Sequence, residues 1–197
     1  MPFAGDLLDA PLRAFLDDLA AEDPAPAGGS AAAVAIAMAA ALIAKVARAS
    51  PGWPEAQAVV AQAERLRRRT APLAQTDAEV YEEALAALHL PDQLEKEVRD
   101  MALGQVLARA AEVPLVIAEA GADVAALAVS VAEHGAQDRR GDAVAAAFLA
   151  ESGTRAAAQL VAVNLVVTPD DERVVKARAL AASAGAAARS ALQSAPA

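Results

Sequence analysis

Apolar residues along this chain recur at steps of three and four rather than alternating, which is the period of helices buried on one face. Leu8, Leu12, Phe15, Leu16 and Leu19 form such a stripe over about residues 6–21, and "EDPAPAGGS" ends it with two prolines and two glycines. A second helix is predicted from Ser30, a good N-cap residue, to about Ala49, where "SPGWP" stops it. A third helical stretch covers roughly 54–88, with Pro72 as a kink or a break into two pieces, and "HLP" at 89–91 closes it. Further helices are predicted over about 92–111, 113–132 with Pro114 in its first turn, and 142–166. "VTPDD" resets the chain, Pro169 and the acids after it suit a first turn, and a last helix fades into "SALQSAPA". Only "QLVAVNLVV" is β-branched enough to read equally as a strand. The expectation is an all-α fold, one domain over residues 1–197, built as a bundle of about six to seven helices.

The stretch "PAPAGGSAAAVAIAMAAALIAKVA" needs its own account, because no charge falls between Pro24 and Ala44. A phosphate loop would need a strand before it and GxxxxGK[ST] or GxGxxG spacing, and neither is present. A helix N-terminus behind Gly28 and Gly29 still offers free amides to an anion. A membrane span is a poor fit: about two thirds of positions 31–44 are Ala, which gains little from lipid, and Lys45 and Arg48 close the run. The remaining reading is a central Ala-rich helix surrounded by protein, either inside the chain or at a subunit interface.

Composition narrows the function. With 197 residues the chain can bury a real core, and having no cysteine it has no disulfides, Cys-based metal site or Cys nucleophile. The N-terminus shows no basic segment followed by an apolar one, so a cytoplasmic location is expected. A net charge of −9 and 3% aromatic residues argue against nucleic acid and against an anionic membrane surface as partners. The one basic cluster, "ERLRRRT" with Arg65, Arg67, Arg68 and Arg69, is either a solvated helix face or a holder for an anion.

Polar residues on apolar stripes carry the candidate chemistry, since burying them costs several kcal/mol unless they are paired or used. Asp77 falls in step with Leu66, Leu73, Tyr81, Leu85 and Leu88, and is either an inward carboxylate or the cap of a helix restarting after Pro72. Asp142 and Asn164 lie on one stripe of the sixth helix with Gly153, where a close helix crossing is expected. They are 22 residues apart, roughly 33 Å at ~1.5 Å per residue, so one small reacting centre cannot touch both. His89 and His134 have no partners at metal-ligand spacing and read as surface residues, and no nucleophile-elbow sequence supports a Ser/His/Asp triad.

Four ordered segments then carry a resemblance. "FLDDLAAEDPAPAGGSAAAVAIAMAAAL", "DAEVYEEALAALHLP", "AAEVPLVIAEA" and "GDAVAAAFLAESGTRAAAQLVAVNL" together resemble the cyclodeaminase/cyclohydrolase family of folate enzymes over nearly the whole chain. The resemblance implies an all-helical homodimer that acts on a tetrahydrofolate derivative as substrate without a metal or other cofactor. The implied activity is hydrolysis of methenyltetrahydrofolate to formyltetrahydrofolate. The alternatives it carries are formiminotetrahydrofolate cyclodeamination with release of ammonia, and a catalytically degenerate folate-binding or interaction dimer. It assigns acid/base work to Asp77 and ligand contacts to Gly28, Gly29, Ser30, Tyr81, Asp142 and Asn164. Against the family pattern, Ala27 stands in the first place of a triple-glycine turn, Gln75 replaces an acidic residue, Gln159-Leu160 replaces an Asn-Val pair, and "ASPGWPEAQ" replaces a Gly-Lys-rich segment. Cations for the anionic folate tail are expected from Lys45, Arg48 or the Arg65–Arg69 cluster.

Overall fold

The computed structural model describes residues 6–88, 96–166, 168 and 170–194. Among them are eight α-helices and no strand: α1 (Leu12–Leu19), α2 (Gly28–Arg48), α3 (Ala56–Thr70), α4 (Leu73–Leu88), α5 (Lys96–Ala110), α6 (Glu112–His134), α7 (Arg140–Asn164) and α8 (Glu172–Gln193). The all-α bundle is therefore the one the periodicity predicts. Pro72, with no N–H to give the ladder, separates α3 from α4. The ambiguous "QLVAVNLVV" is helical as far as Asn164. Asp171 caps α8 by accepting the Arg173 N–H at 2.9 Å. The predicted stop at 89–91, with His89, and also Pro169 lie outside the described residues.

Three expectations are corrected. α1 is short and starts only after Pro11; Phe15 is buried, but Leu8, Leu12 and Leu16 are 46%, 67% and 54% exposed and do not form a core stripe. α2 begins at Gly28 rather than at Ser30, so Ser30 is the third helical residue and cannot be its own N-cap. Among the described side chains of α4 the buried positions are Ala74, Asp77, Ala78 and Ala84; of the predicted stripe on this helix only Asp77 is buried, and Tyr81 is 39% exposed.

α2 is the centre of the bundle, packing against α3, α4, α6 and α7. Its alanines allow this, since a neighbouring backbone can approach where no long side chain intervenes. Ile36 is the wedge: a Cβ added at Gly121 of α6 or Gly153 of α7 would run into it, so those two glycines set how closely the three helices cross. The expected crossing at Gly153 is thus found. α2 and the α5–α6 segment are both long and apolar enough to cross a bilayer, but 61% and 56% of their apolar windows are buried inside the protein. Burial against other helices accounts for their composition without lipid.

One side of α2 stays open. Ala31, Ala35, Met38, Ala41 and Leu42 are partly or fully exposed, and Met38 is 49% exposed. On α7, which runs antiparallel beside it, Ala145, Phe148, Ser152, Ala156, Gln159 and Val163 are exposed at the same helical period. The Lys45–Asp142 ion pair, 2.7 Å, marks one end of this two-helix face, and Arg155, its side chain 69% exposed, stands at its edge.

Candidate active site

The pocket richest in site candidates lies where α2 begins. Ala27, Gly28 and Gly29 form one wall; Asp77, Val80 and Tyr81 of α4 form the second. Ala110 and Pro114, from the α5–α6 junction, and Leu160, Val163 and Asn164, at the end of α7, complete it. The space, counted with the open solvent at its mouth, is about 610 Å³. Its walls are mainly apolar, with Asp77 and Asn164 the polar groups that converge.

Asp77 is held there by the needs of α2. The first turn of any helix leaves backbone N–H groups without intrahelical partners, and Ala27 at the N-cap has no side chain to satisfy them. The carboxylate of Asp77 does so from another helix, accepting the Ser30 N–H. The Ser30 hydroxyl donates to the Ala74 carbonyl at 2.7 Å and lies 3.5 Å from Asp77 Oδ2. Ser30 is fully buried and Asp77 is 8% exposed. Asp77 is therefore an inward carboxylate that caps α2, not the cap of its own helix. Gly29 makes the contact possible: a Cβ there would overlap the Asp77 carboxyl, whereas one at Gly28 would meet only Leu160, at 3.9 Å. Neither glycine has a positive φ, so close approach is what requires Gly29.

The electrostatics oppose each other. Burial pushes the Asp77 carboxyl up from 3.8 to about 6, against the pull of the Ser30 N–H and hydroxyl. That leaves a group able to both take and give a proton near neutrality. Asn164 is partly committed: its amide donates to the Ala110 carbonyl at 2.8 Å, while its Oδ1 accepts nothing among the described residues. It thus fixes the α5 terminus and leaves one acceptor uncommitted among the described residues.

The fold brings Gly28, Gly29, Asp77, Tyr81 and Asn164 to one pocket, with Ser30 behind Asp77. It does not bring Asp142 there. As the third residue of α7, Asp142 sits at the opposite end of that helix from Asn164 and pairs with Lys45. Within the chain its assignment to the ligand site is withdrawn. The sequence reading also missed Val80, Ala110, Pro114, Leu160 and Val163, the apolar walls. Val80, three residues after Asp77, shares its side of α4 with Tyr81 and could have been found by period; the contribution of α5 and α6 is purely tertiary.

The departures from the family pattern also find their places. Ala27 has φ −133°, extended backbone that any residue adopts. Gln75 faces away from the pocket, accepting the Leu7 N–H at 3.1 Å and donating to Glu79 Oε1 at 2.9 Å. Gln159 is exposed while Leu160 supplies pocket wall. The segment around Trp53 lies at the other end of α2, where the indole stacks on His134 at 5.6 Å and Ser50 ties the turn to the Ala136 N–H. The Arg cluster reads as a solvated face: Arg67 and Arg48 share Glu64, and Arg69 is 3.5 Å from Asp123. Among the described residues, no three His, Asp or Glu side chains converge as a metal set.

Comparison with known proteins gives a consistent set of relatives. The profile of the family described as Formiminotransferase-cyclodeaminase matches residues 11–192. A protein of Methylorubrum extorquens named methenyltetrahydrofolate cyclohydrolase is 35% identical over 188 residues, covering 89% of this chain and 90% of its own. Formimidoyltransferase-cyclodeaminase of Rattus norvegicus is 32% identical over 174 residues, 84% of this chain; the chain spans only 32% of that longer protein. A crystal structure of formiminotetrahydrofolate cyclodeaminase from Thermotoga maritima superposes with a TM-score of 0.83, covering 94% of this chain and 95% of that one. At 24% identity, that likeness establishes the fold.

Proposed function

The chain belongs to the formiminotransferase-cyclodeaminase family, and on that premise we propose that it hydrolyses methenyltetrahydrofolate to formyltetrahydrofolate. The observation that carries the proposal is Asp77, a carboxylate 8% exposed in an apolar pocket and titrating at about 6. In this reading the pterin lies between the α2 terminus and the Val80, Leu160 and Val163 walls. Ionised Asp77 takes a proton from a water molecule as the water oxygen bonds to the methenyl carbon of the cationic amidine. The carbon becomes tetrahedral and neutral. Asp77 then returns the proton to the ring nitrogen whose C–N bond breaks, the carbon–oxygen bond becomes a carbonyl, and the remaining hydroxyl proton leaves to solvent. The ionised carboxylate also stabilises the cation it faces, in a site where little water screens it. The work falls to the chain's own residues and water, and the proposal includes no metal or organic cofactor.

Cyclodeamination is the second reading. The same carboxylate could protonate the departing ammonia as the neighbouring aniline nitrogen attacks the carbon of the formimino group borne on the ring nitrogen, and two of the relatives above carry that name. Hydrolysis is preferred because the relative named a cyclohydrolase is 35% identical over 90% of its own length, whereas the cyclodeaminase structure covered over 95% of its chain is 24% identical. The test is loss of the near-ultraviolet absorbance of methenyltetrahydrofolate with purified protein, against formiminotetrahydrofolate and ammonia release in parallel. Acceleration with the first substrate is expected. Acceleration only with the second would transfer the assignment.

The proposal also includes a cytoplasmic homodimer. The absence of cysteine agrees with a reducing compartment. The mainly apolar face of α2 and α7, with Met38 and Phe148 exposed, runs up to Val163 at the pocket, so a second copy placed there would shield both. Placing a charge in that face, Met38→Glu, is expected to turn a dimer into a monomer in sedimentation velocity. A wild-type monomer, or an unchanged dimer in the variant, would remove this face from the assembly.

A further inference from the structure

We infer that Arg109 recognises the anionic tail of the ligand at the edge of the Asp77 pocket, an inference that rests on the folate reading. A tetrahydrofolate joins a pterin, which suits the apolar walls, to a glutamate bearing two carboxylates. No residue lining the pocket is a cation. The tail must find its partner outside.

The cations expected from the sequence are elsewhere. Lys45 lies toward the far end of α2 and pairs with Asp142, and Arg48 and Arg67 share Glu64. No residue of α3, which carries the Arg cluster, contributes to the pocket wall. Among the described residues, two cations are anchored at the α5 terminus that forms the wall. Arg173 grips the Asp171 carboxylate through Nε and Nη2 and donates through Nη1 to the Ala108 carbonyl, so each of its three nitrogens already has a partner. Arg109 adjoins the lining residue Ala110, and its guanidinium crosses to Glu83, one helical turn beyond Val80, at 2.7 Å. Both members of that pair are exposed, 64% and 60%. Exposed ion pairs hold weakly, so a ligand carboxylate can replace Glu83 at little cost, and a guanidinium accepts a carboxylate in bidentate fashion. The Arg109–Glu83 pair thus works as a holder that keeps a cation beside the pocket until an anionic tail arrives.

The test compares equilibrium binding of 5-formyltetrahydrofolate with that of its pteroate counterpart, which lacks the glutamate, at fixed ionic strength. Wild type is expected to prefer the glutamate-bearing compound by about 5- to 10-fold. In Arg109→Gln that preference should fall to near unity, in Arg109→Lys it should be partly retained, and in Glu83→Gln it should increase. A purely structural role would weaken both compounds equally and leave the ratio untouched. If wild type binds both compounds and Arg109→Gln keeps the ratio, this inference alone fails. If wild type binds neither, the folate reading fails with it.

Discussion

Replacing Asp77 by asparagine is expected to lower the hydrolysis of methenyltetrahydrofolate by about 10²- to 10⁴-fold, the span usual for loss of a positioned general acid–base. The same variant should be more stable than wild type at neutral pH. Asp77 has its folded pKa raised from 3.8 to about 6, so its contribution to stability is greatest below 3.8 and is lost as pH rises through 6. Above that, ionised Asp77 costs the fold roughly 3 kcal/mol, about two pH units at 1.36 kcal/mol each. Asparagine keeps an oxygen for the Ser30 N–H and carries no charge to desolvate. Thermal melts should therefore show Asp77→Asn above wild type by several degrees at pH 7.5, with the gap closing toward pH 4. A variant both inactive and destabilised at neutral pH would mean that Asp77 serves α2 rather than chemistry. A variant that kept full activity would remove Asp77 from the reaction.

Gly29→Ala should have the second large effect. Its Cβ would overlap the Asp77 carboxyl, so either that side chain leaves the α2 terminus or the helices separate. Overpacking of this kind costs about 1–3 kcal/mol, partly offset by the ~1 kcal/mol by which Ala outperforms Gly within a helix. Activity should fall further than stability, since a reacting group misplaced by about 1 Å can lose ~10²-fold. Gly28→Ala is the comparison, because its Cβ meets only Leu160 at van der Waals distance. Melting temperature and kcat/KM measured for both variants should separate them. Equal behaviour of the two would show that the closeness of Gly29 to Asp77 has no functional weight.

The pattern of threes and fours was enough to place most helices, because local period and breakers such as Pro72 and the glycine turn act within the chain itself. It misjudged α1, where Leu8, Leu12 and Leu16 form a sound stripe that the fold leaves uncovered. It also misread the start of α2. Ser30 has the chemistry of an N-cap, but the group that caps α2 is Asp77, 47 residues along the chain, and no local rule could pair them. Helical spacing offered the inward position of Asp77 as one of two readings, beside a cap, and it placed Tyr81 on the same side of the helix. What joins them to Asn164, Ala110 and Pro114 is the crossing of α2, α6 and α7 through Ile36, Gly121 and Gly153. Asp142 entered the site only through the family resemblance. Like Asn164 it is polar on one stripe of α7, yet helix length alone puts the two at opposite ends.

The most direct test of the account is the pH dependence of kcat/KM for methenyltetrahydrofolate, corrected for uncatalysed hydrolysis, in wild type and in Asp77→Asn. Wild type should rise through an apparent pKa of about 6, the value burial gives Asp77, and the residual rate of the variant should lack that limb. A limb near pH 6 that survives in Asp77→Asn would contradict the account.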